Sequence, residues 1–321
     1  MKLVEDQKEW DKLVFAQNGS YLQSWEWGEL QRNLGREVFH VSVADLSALL
    51  IKYKLPFGLN YFYVPRGPSG SLKKLEILIS EIQKLKERHK VIFLRVEPAV
   101  EENTEDKKIL QVLGFKKSKQ VQPETTAVLN LKIKESELYE KLDKDTRYAI
   151  KTAQKRGVKI IKIESTKEKL EKFNEFWEIF EATNKRHELR TYPEKYYREV
   201  FALTGNCRSK IFLGQVGDKT VSAALIIHFA ESSTYGLASS LEGYGKFNAP
   251  SLLLWEAILD AKANGLNIFD LWGIDENNKK WSGITSFKKS FGSQTVKYIG
   301  TWDLALNKKW HFLFQLIKKF K

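Results

Sequence analysis

The sequence predicts an α+β protein built twice: two tandem domains, each a mixed, mostly antiparallel sheet flanked by helices. Strand-like and helix-like segments follow one another in the same order in both halves of the 321-residue chain. Matching segments stay about 175 residues apart, a regularity that chance rarely sustains over so many elements. The composition, 42% hydrophobic and 12% aromatic, is that of a folded protein with material for two cores.

The elements repeat as follows. "VFHVSVADLSALLIKYKLPFGLNYFYV" (38–64) alternates and breaks at turn residues, which predicts two or three antiparallel strands. "KIFLGQVGDKTVSAALIIHFAESSTYGLASS" (210–240) reads the same way, with Gly217-Asp218 as a hairpin turn. An amphipathic helix and a buried strand come next in "LEILISEIQKLKERHKVIFLRVEP" (75–98). Their counterpart is "LLLWEAILDAKANGLNIFDLWGID" (252–275), with a Gly/Asn stop between helix and strand. Each half then closes with a short helix, a glycine corner and a strand, in "DKKILQVLGFKKSKQV" (106–121) and "SGITSFKKSFGSQTV" (282–296). Between the halves, residues 135–160 read as a helix ending at Gly157. The expected domains are 1–130 together with 297–321, the C-terminal segment folding back on the first half, and 131–296.

Charge and cysteine content narrow the function. The formal net charge is +13, from 53 Lys+Arg against 40 Asp+Glu, which favours anionic partners such as nucleic acid, phosphorylated ligands or acidic lipid. Cys207 is the one cysteine, so there is no internal disulfide, and it reads as structural in "TGNCRSKIF". Five scattered histidines give no metal-ligand spacing, and no metal is expected. The N-terminus is too charged for a signal peptide, and no apolar run approaches the ~20 residues that span a bilayer. The expectation is a cytoplasmic protein, at most peripheral to the cytoplasmic face of the membrane.

Several constellations carry two readings each. Lys144, Arg147, Lys151 and Lys155 share one helical face, either solvated or a track for the phosphates of a nucleic acid. "NKKWHFLFQLIKKFK" (307–321) gathers Trp310, Leu313, Phe314 and Ile317 among lysines. It is a terminal helix docked on the core or an interfacial helix on an anionic membrane. Arg66 sits in the turn "YVPRGPSG", where turn chemistry explains the Pro and Gly and the arginine is able to face an anion. Arg190, Tyr192 and Tyr196 cluster before and within a helix starting near Pro193, as packing or as a phosphate or sugar site. Lys288 follows Phe287 in "FKKSFG", either as a stem snorkelling to solvent or as a cation aimed at a ligand. No Ser-His-Asp pattern, Walker loop or Rossmann fingerprint is present, so direct transfer is simpler than a covalent enzyme intermediate.

The order of elements is similar to that of GNAT-superfamily acyltransferases, so the fold class becomes two tandem GNAT-like domains. The Arg/Gln-x-x-Gly-x-Gly/Ala turn that holds the pyrophosphate of acetyl-CoA is absent from both halves, which disfavours a coenzyme-A donor. More specific are "YLQSWEWGELQRNLG" (21–35), "YVPRGP" (63–68), "RYAIKTAQKRGVKI" (147–160), "NAPSLLLWEAILDAKANGLNIFDLWGI" (248–274) and "FKKSFGSQTVKYIGTWD" (287–303). Together they resemble the FemABX peptidoglycan-bridge aminoacyltransferases over nearly the whole chain, in a compact form with no coiled-coil arm.

That resemblance implies transfer of an amino acid from aminoacyl-tRNA to the stem peptide of a peptidoglycan precursor, lipid-linked or UDP-linked, with no metal or cofactor, by a monomer. It implies that Phe287 and Lys288 form the catalytic pair, the lysine stabilising negative charge on the aminoacyl ester. A carboxylate proposed for acid–base work falls on Glu97, where relatives often have Asp, although a plain strand-end acid is the competing reading. Gln31 stands where relatives carry a phosphate-binding lysine, with Arg32 and Asn33 beside it, and a second-domain arginine aligns near Tyr192, with Arg190 two residues earlier. The contrasting expectations are a GNAT-like N-acyltransferase with another donor, and an inactive tRNA- or membrane-binding module.

Overall fold

A computed structural model describes residues 2–186 and 191–319, with side chains in those ranges up to residue 316. The chain divides into two compact units, Met1–Glu124 with Lys297–Lys321, and Thr125–Val296.

The first unit contains β1 (Lys2–Leu3), α1 (Gln7–Ala16), α2 (Trp25–Asn33), β2 (Glu37–Val43), β3 (Leu46–Lys54), β4 (Asn60–Val64), α3 (Leu75–Leu85), β5 (Val91–Val96), α4 (Thr104–Val112) and β6 (Lys116–Lys117). Asp6 and Ser24 cap α1 and α2, each accepting a backbone N–H of the first turn. Leu75, Leu78, Ile79 and Ile82 form the i, i+3, i+4, i+7 stripe by which α3 meets the sheet. Every residue of β5 is buried, as expected of a central strand.

The second unit contains β7 (Thr125–Asn130), α5 (Glu135–Glu140), α6 (Lys144–Lys155), β8 (Lys159–Ile163), α7 (Thr166–Glu171), α8 (Phe173–Arg186), α9 (Glu194–Phe201), β9 (Arg208–Val216), β10 (Lys219–Phe229), β11 (Ser232–Ser240), α10 (Ala249–Ala263), β12 (Ile268–Gly273), α11 (Ser282–Lys289) and β13 (Gln294–Lys297). The chain then returns to the first unit with β14 (Trp302–Ala305) and α12 (Lys308–Lys319).

The two sheets have the same plan. Strand order is β1-β2-β3-β4-β5-β14-β6 in one and, read from its other edge, β8-β9-β10-β11-β12-β7-β13 in the second. Each holds an antiparallel meander, then one parallel pair, β4 with β5 and β11 with β12. The second-to-last strand of each sheet is exchanged: β7, next in sequence after β6, pairs with β12, while β14 pairs with β5. A buried bidentate pair secures the returning strand, Arg95 Nε and Nη2 donating to Asp303 Oδ1 and Oδ2, both at 2.7 Å.

Two sequence expectations change here. Residues 125–130, expected in the first domain, lie in the second sheet, because their partner is β12. The helix read across 135–160 is two helices, broken at Lys141–Asp143, where Asp143 N donates to Ser290 O at 2.8 Å. Gly157 does end it, at φ 71.

Candidate active site

The strand "IFDLWG" is regular until Asp270, where its pairing with β7 slips. Trp272 takes a left-handed conformation, φ 65, with its N–H donated to Asp270 Oδ1 at 2.7 Å. Such a bulge bends the strand and re-aims its backbone groups. Gly273 follows, and its carbonyl accepts from Lys288 Nζ at 2.8 Å. Thr285 holds α11 in place against the chain beyond the bulge, accepting from Asp275 N at 3.1 Å and donating to Asp275 O at 3.2 Å.

Lys288 is therefore not a snorkelling stem. It is 8% exposed. Phe287, half-buried against the second core, meets Phe291 edge to face at 5.3 Å. Burial pulls the Lys288 amine down to about 8, opposed by the attraction of Asp270. The ammonium carries three N–H donors, and Gly273 O is its one hydrogen-bond acceptor among the described residues. Two donors remain for an oxygen brought to it.

Glu97 lies in the first unit, immediately after β5, and is 2% exposed. Its Oε1 accepts from Val121 N at 3.1 Å, from Gln122 N at 3.0 Å and from the Thr301 hydroxyl. Tyr63 Oη donates to Oε2. Three donors thus share Oε1, and one meets Oε2. Burial and the neighbouring carboxylate push the Tyr63 phenol well above its ordinary value. With that set of partners Glu97 ties β5 to residues 121–122 and to Thr301, the work of a structural carboxylate.

The expected phosphate contacts are also engaged within the first unit. Gln31 is buried and accepts from Arg36 Nη1 at 2.6 Å. Arg32 pairs with Glu29, donates to Val38 O at 3.1 Å and lies over Trp25. Asn33 is exposed at the end of α2. Arg66, expected to face an anion, turns inward: it donates to Pro123 O at 2.7 Å and stacks on Tyr298 at 4.1 Å.

In the second unit, Arg190 lies outside the described residues. Tyr192 is exposed, with its ring 4.3 Å from that of the half-buried Tyr196. Tyr197 continues this ladder into the core against Phe180 and Trp177. On α6, Lys144, Lys151 and Lys155 are exposed, whereas Arg147 is drawn back to the carbonyls of Glu140 and Leu142. Arg147 thus finishes the chain end of α5 instead of extending the basic face.

Sequence reasoning missed two features. Tyr148, 72% exposed, stands on the lysine face of α6, and its i+4 spacing from Lys144 was readable. An open groove of about 450 Å³ lies on α6 as well, lined by Tyr139, Ile150, Lys151, Gln154 and Trp255. The Gly273 carbonyl has only a faint signal, a glycine inside a strand pattern.

A family model described as the FemAB family matches residues 6–120, 110–216 and 210–319. The lipid II:glycine glycyltransferase of Staphylococcus haemolyticus (strain JCSC1435) is 24% identical over 404 aligned positions, covering 98% of this chain and 94% of that protein. The alignment exceeds the 321 residues present here, so that relative carries segments this chain lacks. The longest helix among the described residues, α10, has 15 residues. The crystal structure of FemX superposes with a TM-score of 0.83 at 19% identity, covering 99% of this chain and all (100%) of that one. A tandem GNAT protein from the clavulanic acid biosynthesis pathway gives 0.51 at 11% identity, covering 84% and 83%. The repeated sheet plan is thus the tandem GNAT-like fold, and the chain belongs to the FemAB family.

Proposed function

We propose that the protein is an aminoacyltransferase that moves an amino acid from aminoacyl-tRNA to an amine of the stem peptide of a peptidoglycan precursor, lipid-linked or UDP-linked. Membership of the FemAB family and the glycyl transfer to lipid II named for its relatives support this reading. The observation that carries it is the Lys288 ammonium, fixed by one backbone carbonyl with two donors uncommitted.

In the reaction, the acceptor amine attacks the carbonyl carbon of the aminoacyl ester. A C–N bond forms, the carbonyl oxygen gains negative charge, and the C–O bond to the tRNA ribose breaks. The amine loses a proton and the ribose oxygen gains one. A buried, pre-positioned ammonium favours the charged oxygen over the neutral ester, and such a donor supplies about 3 kcal/mol. Phe287, the residue before the lysine, packs on the second core and against Phe291, which anchors this end of α11. The exposed Lys144, Lys151 and Lys155, with Tyr148 among them, offer phosphate contacts and a stacking surface to the tRNA. In the second unit, Tyr192 is exposed and Tyr196 half-buried, and they offer polar contacts to the precursor; in the first unit Asn33 is exposed and Arg66 is internal.

The test is transfer of label from a mixture of radiolabelled aminoacyl-tRNAs to lipid-linked and UDP-linked precursors, run side by side. Label on either precursor supports the assignment and names the acceptor. Folded protein that binds tRNA in a salt-dependent way yet transfers nothing would leave a binding module.

A further inference from the structure

At one end of the first sheet, three segments come together. Strands β4 and β5 begin there as parallel neighbours, Asn60 beside Val91, and the chain leaving β14 bonds to the same place, with Leu306 N and Asn307 N both donating to Ile92 O at 3.0 Å. That end therefore gathers the β3–β4 turn, the turn preceding β5 and the start of α12.

This end is apolar and basic. The β3–β4 turn presents Phe57, 78% exposed and held at φ 62, a left-handed conformation that a bulky residue adopts at a cost. No burial within the unit repays that strain. On α12, His311 and Phe314 pack on Phe93, with ring centroids 5.0 and 5.3 Å away. With 3.6 residues per turn, Phe312 and Leu316 face roughly the opposite way from Phe314, with Lys308 and Lys309 beside them. Phe312 is 66% exposed, and Leu313, Leu316 and Trp310 are exposed as well. Lys54, Arg88, Lys90, Lys308 and Lys309 are exposed at this end, with Lys86 half-buried. The acids there are Glu37, paired with Lys52, and Glu87, 3.9 Å from Lys86.

We propose that this end of the first unit is a docking surface for an anionic lipid bilayer, with Phe57, Phe312, Leu313 and Leu316 entering the interface and the surrounding lysines and arginine meeting lipid phosphates. The terminal helix is then both of the things its sequence allowed: docked by one face, interfacial by the other. Aliphatic side chains beside aromatic ones suit acyl chains better than nucleobases, which stack on flat rings. No helix among the described residues is long and apolar enough to cross a membrane, so the contact is with a surface. It stands independently of the acyl-transfer chemistry.

The test is flotation with vesicles of phosphatidylcholine alone and of phosphatidylcholine mixed with phosphatidylglycerol. The full chain is expected to float with the anionic vesicles, less so as salt rises. The F312S/L316S double variant, Phe57→Ser alone and the K308E/K309E double variant should each lower the bound fraction about tenfold while melting like the parent. Phe57 and α12 belong to different segments, so a folding defect in one variant leaves the others decisive. Failure to bind anionic vesicles overturns the proposal, as does binding that all three variants retain. A concentration-dependent dimer abolished by F312S/L316S, without flotation, would assign the face to a second copy of the chain.

Discussion

The helix before the last glycine corner carries a leucine in one repeat and a lysine in the other. Gly114 and Gly292 are both left-handed, φ 86 and 75, and each precedes a short edge strand. Counting back four residues gives Leu110 and Lys288, counting back five gives Ile109 and Phe287. Ile109 and Phe287 play the same part, half-buried against their respective cores. Leu110 is fully buried among apolar side chains, as the helix–sheet packing demands. Lys288 occupies the same kind of place with a charge on it. The second strand has paid for this locally: β12 is bulged, Trp272 is left-handed, and the Gly273 carbonyl receives the amine. Putting an ammonium where the repeat plan puts a leucine costs about 3 kcal/mol by the lowering of its pKa to about 8. A site that sacrifices stability for a positioned cation is where chemistry is expected.

Leu110→Lys places an amine in the first core with no bulged carbonyl to receive it. It should destabilise the first unit by about 4 kcal/mol, read as a fall in the urea midpoint. A small loss would mean that either repeat accepts a buried lysine, and Lys288 would lose its distinction.

A smaller effect comes with pH. Lys288 and Lys169 both have pKa values lowered to about 8 by burial; Lys169 donates to Leu203 O, Ser209 O and Ser209 Oγ, each at 2.9 Å. An unfolded lysine holds its proton to about 10.5, so between pH 8 and 10 the unfolded chain binds more protons than the folded one. Stability should therefore rise with pH across that window, on the order of 1 kcal/mol per lysine. Above pH 10 the buried phenols of Tyr63 and Tyr235, raised by burial, act in the opposite sense. Urea midpoints at pH 7.5, 9 and 10 check the direction, and the Lys288→Met variant should show a shallower rise.

Glu97 gives the smallest effect and sharpens the contrast between the units. Glu97→Gln removes the charge from a four-donor cluster and should cost about 1.5 kcal/mol of stability. Below its melting temperature the variant should retain transfer within about tenfold of the parent, whereas loss of a general base costs 100-fold or more. Rates and melts measured on the same preparation distinguish the two.

The repeat, the hairpins and the glycine corners were legible because each is a local pattern whose period or turn chemistry fixes it, whereas Phe287 and Lys288 were singled out as a pair by the family resemblance and not by any local pattern. The direction of a long side chain was not legible. Arg66 and Arg147 were read as outward cations, yet Tyr298 and Pro123 hold one and the carbonyls of Glu140 and Leu142 hold the other. Such partners lie far along the chain or on a helix end that the spacing of charges does not reveal. The placement of residues 125–130 was hidden for a related reason: strand exchange is decided by which sheet offers a free neighbour, and β7 looks the same in either. The bulge at Trp272 left only its glycine as a trace.

The most direct measurement is made on Lys288→Met, with the rate of amino acid transfer and the melting temperature followed together. Transfer is expected to fall about 100-fold, with precursor binding near that of the parent and a melting temperature unchanged or raised, because a buried charge has been replaced by an apolar side chain. A variant that transfers at close to the parental rate would remove Lys288 from the chemistry and leave its burial without the purpose assigned to it here.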